Sequence, residues 1–127
     1  MRRIMIGGSI LAFVMLGCGQ PKTTLAGGKP VGHWLKMLQA PDPTVRKTAV
    51  IKLGNVGTAD PAALPALISA LKDPDATIRG QAILALLKSG PAANEAIPIL
   101  TEMQRTDQNA QVRTYAAQVL EKLQGRN

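Results

Sequence analysis

A short motif recurs three times along this chain: Asp42-Pro43-Thr44-Val45-Arg46, Asp75-Ala76-Thr77-Ile78-Arg79 and Asn109-Ala110-Gln111-Val112-Arg113. Its arginines are 33 and then 34 residues apart. Ala49, Ala82 and Ala116 keep the same register, as do Leu53, Leu86 and Leu120. A unit of this length cannot bury its own apolar face, so neighbouring units must stack to close a continuous core. The period therefore predicts a helical solenoid of three repeats over residues 30–125, about the minimum for a stable array.

Local chemistry says what each repeat is made of. Asp42, Asp75 and Asn109 are good N-cap residues, because a short side-chain oxygen can accept from the unpaired N–H groups of a helix's first turn. Pro43 fits the first helical position that follows. Val45, Ala49, Leu53 and Val56 then lie on one apolar stripe of a helix. Gly57 and Gly90 are placed to end their second helices in a left-handed residue, and Gly125 nearly matches that register. The first helix of each pair is visible in Trp34–Leu38, Leu67–Leu71 and Leu100–Met103. Proline is tolerated only in a first turn, so Pro65 and Pro98 set the starts of two of these near Ala62 and Glu95.

Composition agrees with close-packed helices. Of the 127 residues, 46% are apolar but only 2% aromatic, so the core must be built from Leu, Ile, Val and Ala. The formal charge is +7, and +5 from Cys18 onward, a mild basic excess that bears on solubility and association and not on fold. A single cysteine excludes an internal disulfide framework and a multi-cysteine metal site.

With Ala63-Leu64-Pro65-Ala66-Leu67, Leu71-Lys72-Asp73-Pro74-Asp75, Ile78-Arg79 and Ala49-Val50-Ile51-Lys52-Leu53-Gly54 in view, the chain resembles the HEAT repeat family. The likeness is to the short repeats found in phycobiliprotein-lyase-like domains. The ankyrin and tetratricopeptide signatures, which share the period, are absent. The resemblance implies an all-α fold, a short α-solenoid of about three antiparallel helix pairs. It also implies a structural ladder of aspartates and arginines between neighbouring repeats, here Arg46, Asp73, Arg79, Asp107 and Arg113. Asp73 and Arg79 are six apart, as are Asp107 and Arg113, and repeat one carries Ala40 in place of the aspartate.

The same resemblance makes the second helices line the concave face. If Val45, Ala49 and Leu53 point inward, Lys47, Ile51 and Asn55 lie opposite, followed in register by Gly80, Leu84 and Lys88, and by Thr114, Gln118 and Lys122. Ile51 and Leu84 are apolar where polar residues are the norm. We expect an apolar saddle of these two, rimmed by Lys47, Lys88 and Lys122, to bind a protein or peptide surface. The competing expectation is that a tight curl buries both. One histidine, His33, cannot build a metal site alone. Trp34 is expected to cover the exposed end of the core, and the polar last helix (Gln118, Glu121, Lys122, Gln124) to form the far cap.

Ahead of the repeats, Met1-Arg2-Arg3 is followed by the uncharged stretch Ile4–Gly17 and then Cys18. The stretch is too short for a mature membrane span, which needs about 20 residues, and has the length of a signal-peptide core. Met15-Leu16-Gly17-Cys18 resembles the lipobox of bacterial lipoproteins, without its usual leucine three residues before the cysteine and small residue two before. The likeness implies a signal peptide over 1–17, lipidation of Cys18, and palmitate-type acylation. It also implies anchorage in the bacterial cell envelope, the outer membrane being compatible with Gly19. The alternative is an ordinary signal peptide or an uncleaved anchor. Residues 18–29 read as lipidated cysteine and flexible tether, and 30–127 as the repeat domain.

No paired carboxylates, nucleophile elbow, phosphate-cradling loop or His-Glu pair occurs, so no enzymatic chemistry and no cofactor is expected. A lyase role would need a polar and aromatic pigment cleft that this composition does not offer. Nucleic-acid binding would need aromatics interleaved with the charge, and export argues against it. The expected function is a membrane-tethered scaffold with an unknown protein partner; the rival is a structural spacer within an envelope complex.

Overall fold

The computed structural model describes residues 24–125. A two-stranded antiparallel hairpin opens them: β1 (Leu25–Ala26) pairs with β2 (Lys29–Pro30) across Gly27-Gly28. Six α-helices follow among the described residues: α1 (Val31–Met37), α2 (Pro43–Val56), α3 (Ala63–Ala70), α4 (Ala76–Ser89), α5 (Ile97–Thr106) and α6 (Ala110–Leu123). They form three helix pairs, α1/α2, α3/α4 and α5/α6, stacked in chain order with the second helices packed α2 on α4 on α6.

Each second helix starts as its cap dictates. The Asp42 carboxylate accepts from the Thr44 N–H at 2.8 Å, Asp75 from Thr77 and Ile78, and Asn109 from Gln111 and Val112. Gly57 and Gly90 end α2 and α4 at φ +56° and +60°, a conformation that a Cβ would strain. The first helices start at Ala63 and Ile97, one and two residues beyond the expected positions. Short 3₁₀ stretches, Gly57–Ala59 and Gly90–Ala96, carry the chain into them. Pro65 and Pro98 thus fall in first turns, where no intrahelical N–H is lost.

One core runs through all three pairs. Leu53, Leu67, Ile83, Leu86 and Leu100 are fully buried within it, joined by Val112 and Val119 from α6. The buried face of α2 is rotated from the expected stripe. Ala49 and Leu53 are buried, but so are Val50 and Gly54, while Val45 and Val56 are only half-buried. The rotation turns α2 toward α4, which it meets at Gly54: a Cβ built there would lie 2.8 Å from the Ala85 Cβ. Gly80 has a similar place in the next layer, beneath the ring of Tyr115.

Three equivalent positions show how the array ends. Ala85 and Val119 are buried where α4 and α6 meet the preceding repeat, and the same register in α2 holds Lys52. Among the described residues only the hairpin precedes repeat one, and the Lys52 stem lies along its Gly27 turn. A lysine can cover apolar surface with its methylenes while its ammonium stays wet. The hairpin is tied down from the other side as well. Trp34 donates its indole N–H to the Ala26 carbonyl at 2.7 Å, and the Val31 N–H reaches the Thr24 carbonyl at 3.1 Å. The spacer reading of residues 18–29 therefore needs correcting from Thr24 onward. These residues fold onto the first repeat, because Gly27-Gly28 supplies the positive φ angles of a tight hairpin turn.

Candidate functional site

The second helices carry both constellations that the sequence predicts, and the ladder is the better defined. The Arg46 guanidinium clasps the Asp73 carboxylate with two bonds, Nε to Oδ2 at 2.9 Å and Nη2 to Oδ1 at 3.2 Å. Its remaining nitrogen donates to the carbonyls of Ala40 and Pro41. One repeat later Arg79 does the same, with Asp107 at 2.8 and 2.9 Å and the carbonyls of Asp73 and Pro74. Each arginine thus closes the loop of its own repeat and reaches forward to the acid of the next. The six-residue Asp73–Arg79 spacing is bridged through the Asp73 backbone carbonyl, and the side-chain pairing runs across the repeat boundary.

Both carboxylates are also fixed from behind, Asp73 accepting from the Asp75 N–H and Asp107 from the Asn109 N–H, each at 2.9 Å. The Arg79 hydrogen bond holds the Asp107 carboxyl below the usual carboxylate range, overcoming the opposing effect of burial. Hydrogen bonds to Asp73 and Asp107 raise Arg46 and Arg79, respectively, above the ordinary arginine value. Arg46, Arg79 and Asp107 are consequently ionised throughout the physiological range. Arg113 repeats only the inner half of the pattern, donating to the Asp107 carbonyl, and has no carboxylate partner among the described residues. Ala40 leaves nothing unpaired, because no described arginine precedes it to reach forward.

The second constellation is the solvent side of α2, α4 and α6. Ile51 is 38% exposed, and Leu84, at the equivalent position of α4, is half-buried. Neither joins the core, so the curl of three repeats does not swallow them. Asn55 is exposed beside Ile51, and Lys88 and Lys122 lie toward solvent one and two repeats on. Lys47, one turn before Ile51 on α2, is half-buried in a shallow groove between α2 and α4, beside Thr77 and Ile78. Gly80 is buried under Tyr115, because the rotation of the helices rolls this register position toward the next repeat. Spacing does not single out Tyr115 itself, although its being the chain's one tyrosine, on a second helix, is a usable signal.

His33 stacks edge-on against Trp34, with ring centroids 4.8 Å apart, at the hairpin end. Among the described residues no group of His, Cys, Asp or Glu is placed to hold a metal ion. No described helix is long and apolar enough to cross a membrane. Cys18 and the lipobox-like residues lie outside the described residues.

Stacked helix pairs, a shared core and an inter-repeat ladder define an α-helical repeat protein. More closely, a family model for HEAT repeats matches residues 31–121, and the chain belongs to that family. A search of curated proteins found no significant match. HEAT repeats are generally protein-interaction scaffolds.

Proposed function

We propose that the protein is a membrane-tethered scaffold of the bacterial cell envelope, held by lipidated Cys18, that binds another protein and performs no chemistry of its own. The observation carrying this reading is the apolar step made by Ile51 and Leu84. It lies on the solvent side of α2 and α4 among Lys88, Lys122 and the flanking Lys47. A partly exposed apolar pair on helices that also carry lysines suits an acidic protein surface with an apolar anchor. The lipobox-like sequence supports the anchorage, and the family's general role supports the binding.

The test is affinity capture from detergent-solubilised envelopes with the full chain as bait. The wild type is compared with an Ile51→Glu/Leu84→Glu variant whose helix content is verified by circular dichroism. A protein held by the wild type and lost by the folded variant supports the saddle. Equal capture by both refutes it and moves the contact to the repeat ends, as a structural spacer would require.

A further inference from the structure

Charge is distributed unevenly along the array. Residues 24–60 carry five basic side chains against two acidic ones, residues 61–93 three against two, and residues 94–125 three against four. The basic end is the hairpin end. Lys29 lies on β2, directly across from Ala26, and the Lys52 ammonium sits against the adjoining Gly27 turn. Lys36 is exposed on α1, the helix that binds the hairpin through Trp34.

The hairpin also exposes apolar surface. Leu25 is 60% exposed, the highest value for any large hydrophobic residue among those described, and it pairs across the hairpin with exposed Pro30. Leu25 and Pro30 share one face of the hairpin and Lys29 stands on the other, so the tip offers exposed apolar surface and positive charge together, which matches a layer that is oily below and anionic above. The covalent distance agrees. Thr24 is six residues after Cys18 and can lie at most about 20 Å from it even with the chain fully extended.

We propose that the hairpin tip, with Leu25 and Pro30 flanked by Lys29, Lys36 and Lys52, docks on the surface of an anionic lipid bilayer. The array then stands with its acidic third repeat away from the membrane. This rests on the reading of Cys18 as the anchor: the acyl chains hold the protein at the membrane, and the hairpin sets its orientation. Each lysine brought to an anionic surface favours the docked state about fivefold. Replacing Lys29 and Lys52 by glutamate should therefore lower the docked-to-undocked ratio by at least about twentyfold, from the loss of the two positive charges alone.

Trp34 is the only tryptophan in the chain and sits beneath the hairpin, so it reports on this contact directly. The full chain, produced in a lipidating host, is reconstituted in vesicles of phosphatidylcholine alone or mixed equally with phosphatidylglycerol. Both carry a dansyl-headgroup lipid. Energy transfer from Trp34 should be higher in the anionic vesicles. It should fall to the phosphatidylcholine level in Lys29→Glu/Lys52→Glu and in Leu25→Asn. It should fall also for the wild type in roughly 0.5 M salt, where screening shortens to a few ångströms, a control that needs no variant to fold. Equal transfer in the two vesicle types, insensitive to salt, overturns the docking and leaves the anchor standing. An N-terminal peptide mass showing unmodified Cys18 overturns the anchor, and the tethered docking with it.

Discussion

Gly54 is buried where α2 packs against Ala85 of α4, and its replacement by alanine separates two opposing effects. In an exposed helix interior the change would stabilise by about 1 kcal/mol, because glycine carries the larger entropy loss on folding. Here the new Cβ would lie 2.8 Å from the Ala85 Cβ and 3.5 Å from its Cα. The nearer distance is about 1 Å short of optimal carbon–carbon contact, and two helix backbones must part to restore it. Overpacking of this kind costs about 1–3 kcal/mol. Gly54→Ala should thus be neutral to destabilising by about 2 kcal/mol, where propensity alone predicts a gain. Ala85→Gly should cost about 1 kcal/mol in propensity and somewhat more for the lost buried methyl. In the double variant the clash is gone, since the Cβ introduced at position 54 would face only a backbone carbon at ordinary contact distance. The two propensity changes then cancel, leaving stability near wild type. The assay is urea unfolding followed by circular dichroism, in which about 1.5 kcal/mol moves the midpoint by roughly 1 M. If Gly54→Ala alone raises the midpoint, and Ala85→Gly shifts it by the same amount in either background, α2 and α4 do not meet at this point.

Further expectations concern the ladder, the core and the hairpin. Asp107→Asn should destabilise by about 1 kcal/mol at neutral pH, after allowing for solvent screening of a partly exposed pair. Because the folded-state carboxyl is depressed, that contribution is complete above the unfolded value of about 4 and is lost as pH falls through the lower folded value. Wild-type and variant unfolding midpoints should therefore converge in acid; a gap that stays constant down to about pH 2 would contradict the pairing. Leu86→Ala empties the middle of the central repeat and should cost about 2–5 kcal/mol, while leaving unfolding a single transition by calorimetry. Trp34→Phe removes the bond to the Ala26 carbonyl and should speed amide exchange in residues 25–31, with little change at Leu53 or Leu86. Uniform acceleration would mean the hairpin is integral to the whole array.

Much of the architecture was legible because it is written locally and three times over. The N-caps, the closing glycines and the first-turn prolines each act within one helix turn, and the 33-residue register aligned them without any knowledge of packing. What escaped depends on contacts between repeats. The rotation of α2 toward Val50 and Gly54 reflects a neighbour lying beside it, and an apolar stripe read from one helix has no term for that neighbour. The choice of Asp107 rather than Asp73 as the side-chain partner of Arg79 is likewise a matter of stacking, invisible in a six-residue spacing. The hairpin escaped for another reason. Gly27-Gly28 is both a tight-turn signal and a linker signal, and only the Trp34 bond and the Lys52 stem decide between them. On the candidate saddle, spacing named Ile51 and Leu84 as the apolar pair, but gave no sign that the Gly80 position is buried against Tyr115 of the next repeat.

The forward reach of each arginine gives the array a growing end. A duplicated unit added after α6 would meet the Arg113 guanidinium, which has no carboxylate partner among the described residues and is positioned to take the newcomer's aspartate. A unit added before α1 would meet Ala40, which has no carboxylate to offer, and a hairpin seated where the joint would have to form. Lengthening by repeat duplication is thus chemically prepared on one side and blocked on the other. Longer versions of this architecture should extend by units appended behind the third repeat, with the hairpin kept at the front.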